Sequence, residues 1–277
     1  MPALTEATLA QGLRVLARRD PALGRIVRDF GPPPMWRRRP GFPTLVHIIL
    51  EQQVSLASAQ AAFDRLLAAA APLTPERFLT FDDAALKRIG FSRQKTAYVR
   101  HLSQAIVEGR FRPAALSRMD DESARAELLQ LKGIGPWSAD IYLLMALRRP
   151  DVWPSGDLAL AAAAQQVKRL RSRPTPEDME RLGEAWRPWR AVAARMLWHY
   201  YLSERDRNHS SNQRVSASAR AGGAADGGSQ SADRSGHRRT ALPRTRPGLK
   251  ARPGLVLAGA RAKPGALLRV GWATVPS

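Results

Sequence analysis

An all-α fold is predicted for this chain of 277 residues. Over residues 1 to 204 apolar positions recur three and four apart, and the alternating pattern of a half-buried strand is scarce. The pairs Thr74-Pro75, Thr175-Pro176 and Arg187-Pro188 mark helix starts, because proline suits the first helical position.

Taken in order, the periodicity predicts helices over Glu6 to Arg18 and Pro21 to Phe30, then a loop holding Pro32-Pro33-Pro34 and the basic run Arg37-Arg38-Arg39-Pro40. A long helix is expected from Thr44 to Ala70. Asp82 to Ile89 and Ser92 to Glu108 follow, separated by Gly90, which reads either as a helix stop or, with Arg93 and Lys95, as a phosphate contact. The remaining helices are Asp121 to Gln130, Pro136 to Leu147, Leu158 to Leu170, Pro176 to Trp186 and Pro188 to Leu202.

The character of the chain changes at Arg205. From there on it holds 10 of the 20 glycines, with much Ser, Ala, Arg and Pro and no helical period. Residues 1–204 are therefore expected to form the folded domain and 205–277 a basic, low-complexity, disordered tail. The tail reads as a solvated extension in preference to a DNA-tethering arm, since nothing in it repeats or pairs with an aromatic.

The formal net charge is +20, of which the first 204 residues carry +9 and the tail +11. Such a balance favours polyanionic partners. The chain has no cysteine, which removes disulfides, thiolate zinc sites and cysteine-bound iron-sulfur clusters. His47, His101, His199 and His209 show no metal-ligand spacing. The first residues contain acids and lack a signal-peptide core, and no apolar run reaches the roughly 20 residues that span a bilayer. A cytoplasmic, nucleoid-associated protein without a membrane partner is expected.

The most specific segment is LKGIGPWSAD, from Leu131 to Asp140, with Trp153-Pro154-Ser155-Gly156-Asp157 beyond it. Gly133 and Gly135 allow a tight turn and close approach to another molecule. Pro136 opens a helix whose free N–H groups and dipole face that turn, an arrangement suited to phosphate. Asp157 follows its own turn and precedes the helix that starts at Leu158, so it reads either as an N-cap or as an acid at a pocket mouth.

These residues resemble the hairpin and catalytic loop of the helix-hairpin-helix DNA glycosylases, in particular the DNA-3-methyladenine glycosylase II branch. Ile49-Leu50-Glu51-Gln52-Gln53-Val54-Ser55 is similar to that family's Gln-containing helix start, and Arg187-Pro188-Trp189-Arg190 through Trp198 to its closing helix. The resemblance spans about Gly41 to Leu202. It implies two packed helical subdomains with a cleft between them, a hairpin over about 121–147 and a catalytic loop over 151–157.

The implied activity is hydrolysis of the N-glycosidic bond of alkylated purines of the 3-methyladenine type, in double-stranded DNA, by a monomer. The alternatives are a glycosylase for a neutral lesion such as uracil, or a DNA-binding module without catalysis. Asp157 is the implied catalytic residue, easing positive charge on the sugar as the carboxylates of glycoside hydrolases do. Trp137, Trp198 and Ile141 are the implied base pocket, in which a Trp face favours a cationic base by about 0.5–2 kcal/mol. Trp153, Trp186 and Trp189 read as core, and Asp140 as an exposed or capping residue in preference to a second acid near the site. Gln53 is the implied plug that fills the place of an everted base, with Gln52 second; buried amides satisfying backbone groups are the other reading of this pair. Lys132, Gly133, Gly135 and Ser138 are the implied DNA contacts. Relatives that also cut the strand carry a Schiff-base Lys where this chain has Trp137, so no lyase activity is implied. No cofactor is required; a monovalent cation on the carbonyls of Leu129, Leu131 and Ile134 is implied by the resemblance.

Overall fold

The structure, a computed structural model, describes residues 2–222, with side chains described as far as Asn208. All regular structure among the described residues is helical. The chain divides into two compact units after Asn208. Residues 2–208 lie in one unit; of the other, only helical backbone to Gly222 is described.

Thr5 opens helix α1 (Glu6–Arg19) through a reciprocal capping box with Thr8. Asp20 ends α1 and caps α2 (Pro21–Phe30), accepting from the Ala22 N–H at 3.0 Å. The helix expected over residues 44–70 is two: α3 (Phe42–Glu51) and α4 (Leu56–Ala69). The break falls where Gln53 adopts φ +57 and Ser55 takes up the N-cap of α4, accepting from the Ser58 N–H at 3.1 Å. No Gly or Pro marks residues 52–55, so apolar periodicity runs through the break unaltered.

Thr74 caps a short α5 (Pro75–Leu79) at the start that Thr74-Pro75 marks, although the periodicity assigns no helix range there. Helices α6 (Asp83–Ile89) and α7 (Arg93–Val107) flank Gly90, which lies in the left-handed region and donates its N–H to the Leu86 and Lys87 carbonyls. This turn is a helix stop. A 3₁₀ turn at Pro113–Arg118, also outside the predicted set, leads to α8 (Asp121–Leu129) and α9 (Pro136–Met145). α10 (Leu158–Val167) and α11 (Pro176–Glu184) precede α12 (Arg190–Gly222). The last helix continues past Leu202, so the expected boundary at residue 204 lies inside it; residues 223–277 of the expected tail fall outside the described residues.

α3 and α9 pack on each other and form the centre. Both are apolar nearly all round, as central helices must be: Leu45, Val46, Ile48, Ile49 and Leu50 on one, and Ala139, Ile141, Tyr142, Leu143 and Leu144 on the other, are buried. Each such aliphatic side chain contributes about 1.5–3 kcal/mol by leaving water. On one side of α3 lie α4 and α7, with α5 and α6 against α7. On the other, polar ties hold the N-terminal pair to the C-terminal helices. Asp20 accepts from Trp186 Nε1 at 2.9 Å and from Lys168 Nζ at 2.8 Å. Trp153 meets Trp186 edge to face, and Trp189 packs against Gly12 of α1, so these three tryptophans belong to the core as expected. Arg195 of α12 is fully buried and donates to the carbonyls of Met35, Leu144 and Ala191. Burial pushes its guanidinium down to about 9.

Burial of Asp20 works against its charge, but the bonds from Lys168, Trp186 and Ala22 outweigh that and hold its carboxyl below the ordinary aspartate value of 3.8. A depressed folded-state value means the contribution is complete above about pH 4 and is lost as pH falls through that lowered value. Asp20→Ala is expected to cost roughly 2–4 kcal/mol in urea unfolding at pH 7. The gap from wild type should narrow when the same titrations are repeated below pH 3.8.

Candidate active site

The α8–α9 connection is a tight turn because Gly133 takes φ +91, a conformation that side chains resist. The ring of Tyr98, on α7, lies directly beneath it: a Cβ on Gly133 would sit 2.2 Å from Tyr98 Cγ. Gly135 differs from expectation. Its φ is −93 and a Cβ there would meet nothing within 4 Å, so its backbone does not need glycine; it is the N-cap of α9. The N–H groups of Trp137 and Ser138, in the first turn of α9, have no intrahelical acceptor and face the turn. Lys132 is exposed on the same turn.

Asp157 caps α10, with Oδ1 accepting from the Leu160 N–H at 2.8 Å. It also receives both indoles singled out by the sequence. Trp137 Nε1 donates to Oδ2 at 2.8 Å and Trp198 Nε1 to Oδ1 at 3.2 Å. With two donors Oδ1 is filled, while Oδ2 has one and keeps an acceptor position. Among the described residues Asp157 makes no ion pair. Asp157 as a whole is 9% exposed, at the wall of a cavity of about 680 Å³.

That cavity is lined on one side by residues 51–54 and Leu56, on another by Gln94, Lys95 and Tyr98 of α7, and is closed by the hairpin turn, Trp137, Trp198 and residues 156–159. Its second carboxylate, Glu51, is already claimed: Arg38 donates to Oε1 and Oε2 at 2.6 and 2.9 Å. Asp157 is thus the acid with room for another partner.

Several placements correct the sequence reading. Ile141, expected in the base pocket, is 0% exposed and packs in the core away from the cavity, because it lies on the face of α9 turned inward. Gln52 is not free to act as a plug: its Nε2 donates to the Gly133 carbonyl at 2.8 Å and to Ser138 Oγ at 3.0 Å. Ser138 is buried with its hydroxyl in that bond, which leaves only its backbone N–H as a DNA contact. Asp140 is neither exposed nor a cap, but buried and paired with Arg125 of α8 at 2.8 Å. Burial raises its carboxyl above the ordinary value, and Arg125 opposes the rise. Gln53, by contrast, is exposed at the tip of the α3–α4 turn on the cavity's edge.

Trp198 lines the cavity but is 1% exposed, so Trp137 offers the more open wall. Lining residues to which sequence reasoning gave no role include Glu51, Gln94, Tyr98 and Leu158. Leu158 is 62% exposed beside Asp157, the most exposed large apolar side chain among the described residues. Lys95, a phosphate contact in one of the two readings of the Gly90 turn, lines the cavity and donates to the Leu50 carbonyl at 2.7 Å. The carbonyls implied for a cation lie at the end of α8 and in the turn after it; that of Leu131 also accepts from the Ile134 N–H at 3.0 Å, which leaves it a second lone pair.

Gly133→Ala is expected to destabilise by several kcal/mol, through the left-handed φ and the clash with Tyr98. Gly135→Ala should stay within about 1 kcal/mol of wild type. Thermal melts of both variants check the asymmetry.

The family model for the HhH-GPD superfamily base excision DNA repair protein matches residues 46–188. DNA-3-methyladenine glycosylase 1 of Schizosaccharomyces pombe is 27% identical over 180 residues, 64% of this chain and 79% of that protein. YfjP of Bacillus subtilis is 28% identical over 162 residues, 56% of each, so this chain spans little more than half the length of that relative. Among solved structures, Schizosaccharomyces pombe 3-methyladenine DNA glycosylase (Mag1) in complex with abasic DNA is similar with a TM-score of 0.62 at 26% identity, over 69% of this chain and 95% of that one. The hairpin, Asp157 and the Gln53 turn all fall inside the matched segment, and this chain belongs to the HhH-GPD superfamily.

Proposed function

We propose that the protein is a monofunctional DNA glycosylase that hydrolyses the N-glycosidic bond of alkylated purines of the 3-methyladenine type in double-stranded DNA. The observation that carries this reading is the Asp157 carboxylate, fixed by two indole N–H groups and a backbone N–H at the wall of a cavity that an everted nucleoside could enter. The relatives named DNA-3-methyladenine glycosylases, and the abasic DNA bound to one of them, support the same substrate class.

In this reaction the bond from C1′ to the purine breaks with its electron pair leaving on the base, and positive charge develops on the sugar. Asp157 Oδ2, the oxygen with an acceptor position left, lies where it can stabilise that charge and accept a proton from the water that adds to C1′. Alkylation at a ring nitrogen makes the base cationic, so it leaves without an elaborate acid. The ring face of Trp137 favours such a cation by about 0.5–2 kcal/mol. Selection therefore rests largely on the weakened bond.

Backbone N–H groups of the hairpin turn and of Trp137 and Ser138 grip phosphate, with Lys132 beside them. Carbonyls of Leu129, Leu131 and Ile134 would hold a monovalent cation there, which would offset phosphate charge; oxygen donors fit a hard cation. Gln53 fills the space left by the everted base.

Asp157→Asn is expected to lower release of free base from methylated DNA by about 10²-fold or more, with duplex binding retained. Gel analysis of wild-type product should show abasic sites in an uncut strand, and retained excision by the variant would overturn the assignment. Affinity for undamaged duplex should be indifferent to sequence and fall steeply between about 50 and 200 mM salt, measured by fluorescence anisotropy.

A further inference from the structure

Eversion needs Gln53 held at the ready, and the turn that carries it is short, exposed and in an unfavourable conformation. A residue other than Gly at φ +57 costs about 1–2 kcal/mol and persists only when its surroundings dictate it. Two side chains supply that dictation. On the hairpin side, Gln52 is fixed to Gly133 and Ser138. On the helix side, the Leu50 carbonyl, in the last turn of α3, has no intrahelical donor and takes the Lys95 ammonium at 2.7 Å. A cation there also meets the negative end of the α3 dipole. One turn along the same face of α7, Tyr98 seats the Gly133 backbone.

We propose that Lys95 is a positioning residue for base eversion: from α7 it anchors the end of α3, sets the Gln53 turn relative to the hairpin, and touches no reacting atom. This rests on the glycosylase reading above. α7 is then a common base for plug and phosphate clamp, so that backbone grip and base displacement act in register. The Lys95 amine, although it lines the cavity, is committed to Leu50 and is no Schiff-base nucleophile. Burial draws it below the ordinary lysine value.

The test compares single-turnover release of one methylated base from a duplex and from the same oligonucleotide as a single strand, where no partner base must be displaced. Lys95→Met should slow release from the duplex about tenfold and from the single strand less than about twofold, the scale of one lost charge-assisted hydrogen bond. Lys95→Arg should recover most of the duplex rate. In a Gln53→Ala background, Lys95→Met should add nothing. Equal losses on both substrates, or additive losses with Gln53→Ala, would overturn the proposal. Lys95→Gln, which keeps a donor without charge, gives the same comparison if the Met variant lacks the wild-type unfolding transition. A wild type that releases base from neither substrate overturns the functional reading itself and is thereby distinguished from a failure of Lys95.

Discussion

The arrangement depends on one carboxylate and its three N–H donors. Asp157 holds the start of α10 through the Leu160 N–H, the start of α9 through Trp137 and the first third of α12 through Trp198. Three separate helices thus converge on one anion. A nearly buried carboxylate is tolerated only when hydrogen-bonded, and here the bonds that satisfy it are also those that assemble the site. Capping therefore leaves capacity to spare: the cap and Trp198 fill Oδ1, while Oδ2 takes one indole and keeps an acceptor position.

A second set of contacts transmits position around that centre. The Tyr98 ring occupies the space a side chain on Gly133 would need, and Gln52 joins the same residue's carbonyl to Ser138. The hairpin turn is held from beneath by α7 and from the side by the α3–α4 turn. Arg195 does similar work for α12, its guanidinium spread over carbonyls of three segments one turn before Trp198. Rigid placement of this kind is what lets a single weak electrostatic interaction count toward a rate, since little has to reorganise when charge develops.

The cavity's charge is likewise settled by pairing. Glu51 and Asp140 are both buried acids near the hairpin, yet each is taken by an arginine, from the loop before α3 and from α8 respectively. What distinguishes Asp157 is that its donors are neutral. An anion held by neutral donors keeps its full attraction for a developing cation, whereas one paired with guanidinium has spent it.

Sequence alone determined the helical class, most helix starts and the identity of the central residues, because these are local. Proline at first-turn positions, Asp and Thr caps, and a Gly-rich turn ahead of Pro136 act through the backbone within a few residues. The break at 52–55 was not legible, because no Gly or Pro signals the left-handed Gln53, while residues just before it, Gln52 and Leu50, are tied to the hairpin and to α7. For the same reason Gln52, Ser138 and Asp140 could be named but not given their roles: whether a polar side chain is free or committed depends on a partner that lies, for Gln52, some eighty residues away. Ile141 was placed by analogy on a wall it does not reach, since an all-round apolar helix hides which face meets the cavity. Only the packing of α3, α7 and α9 decided which groups line the cleft, because burial and pairing are properties of surfaces brought together, not of residues in a row.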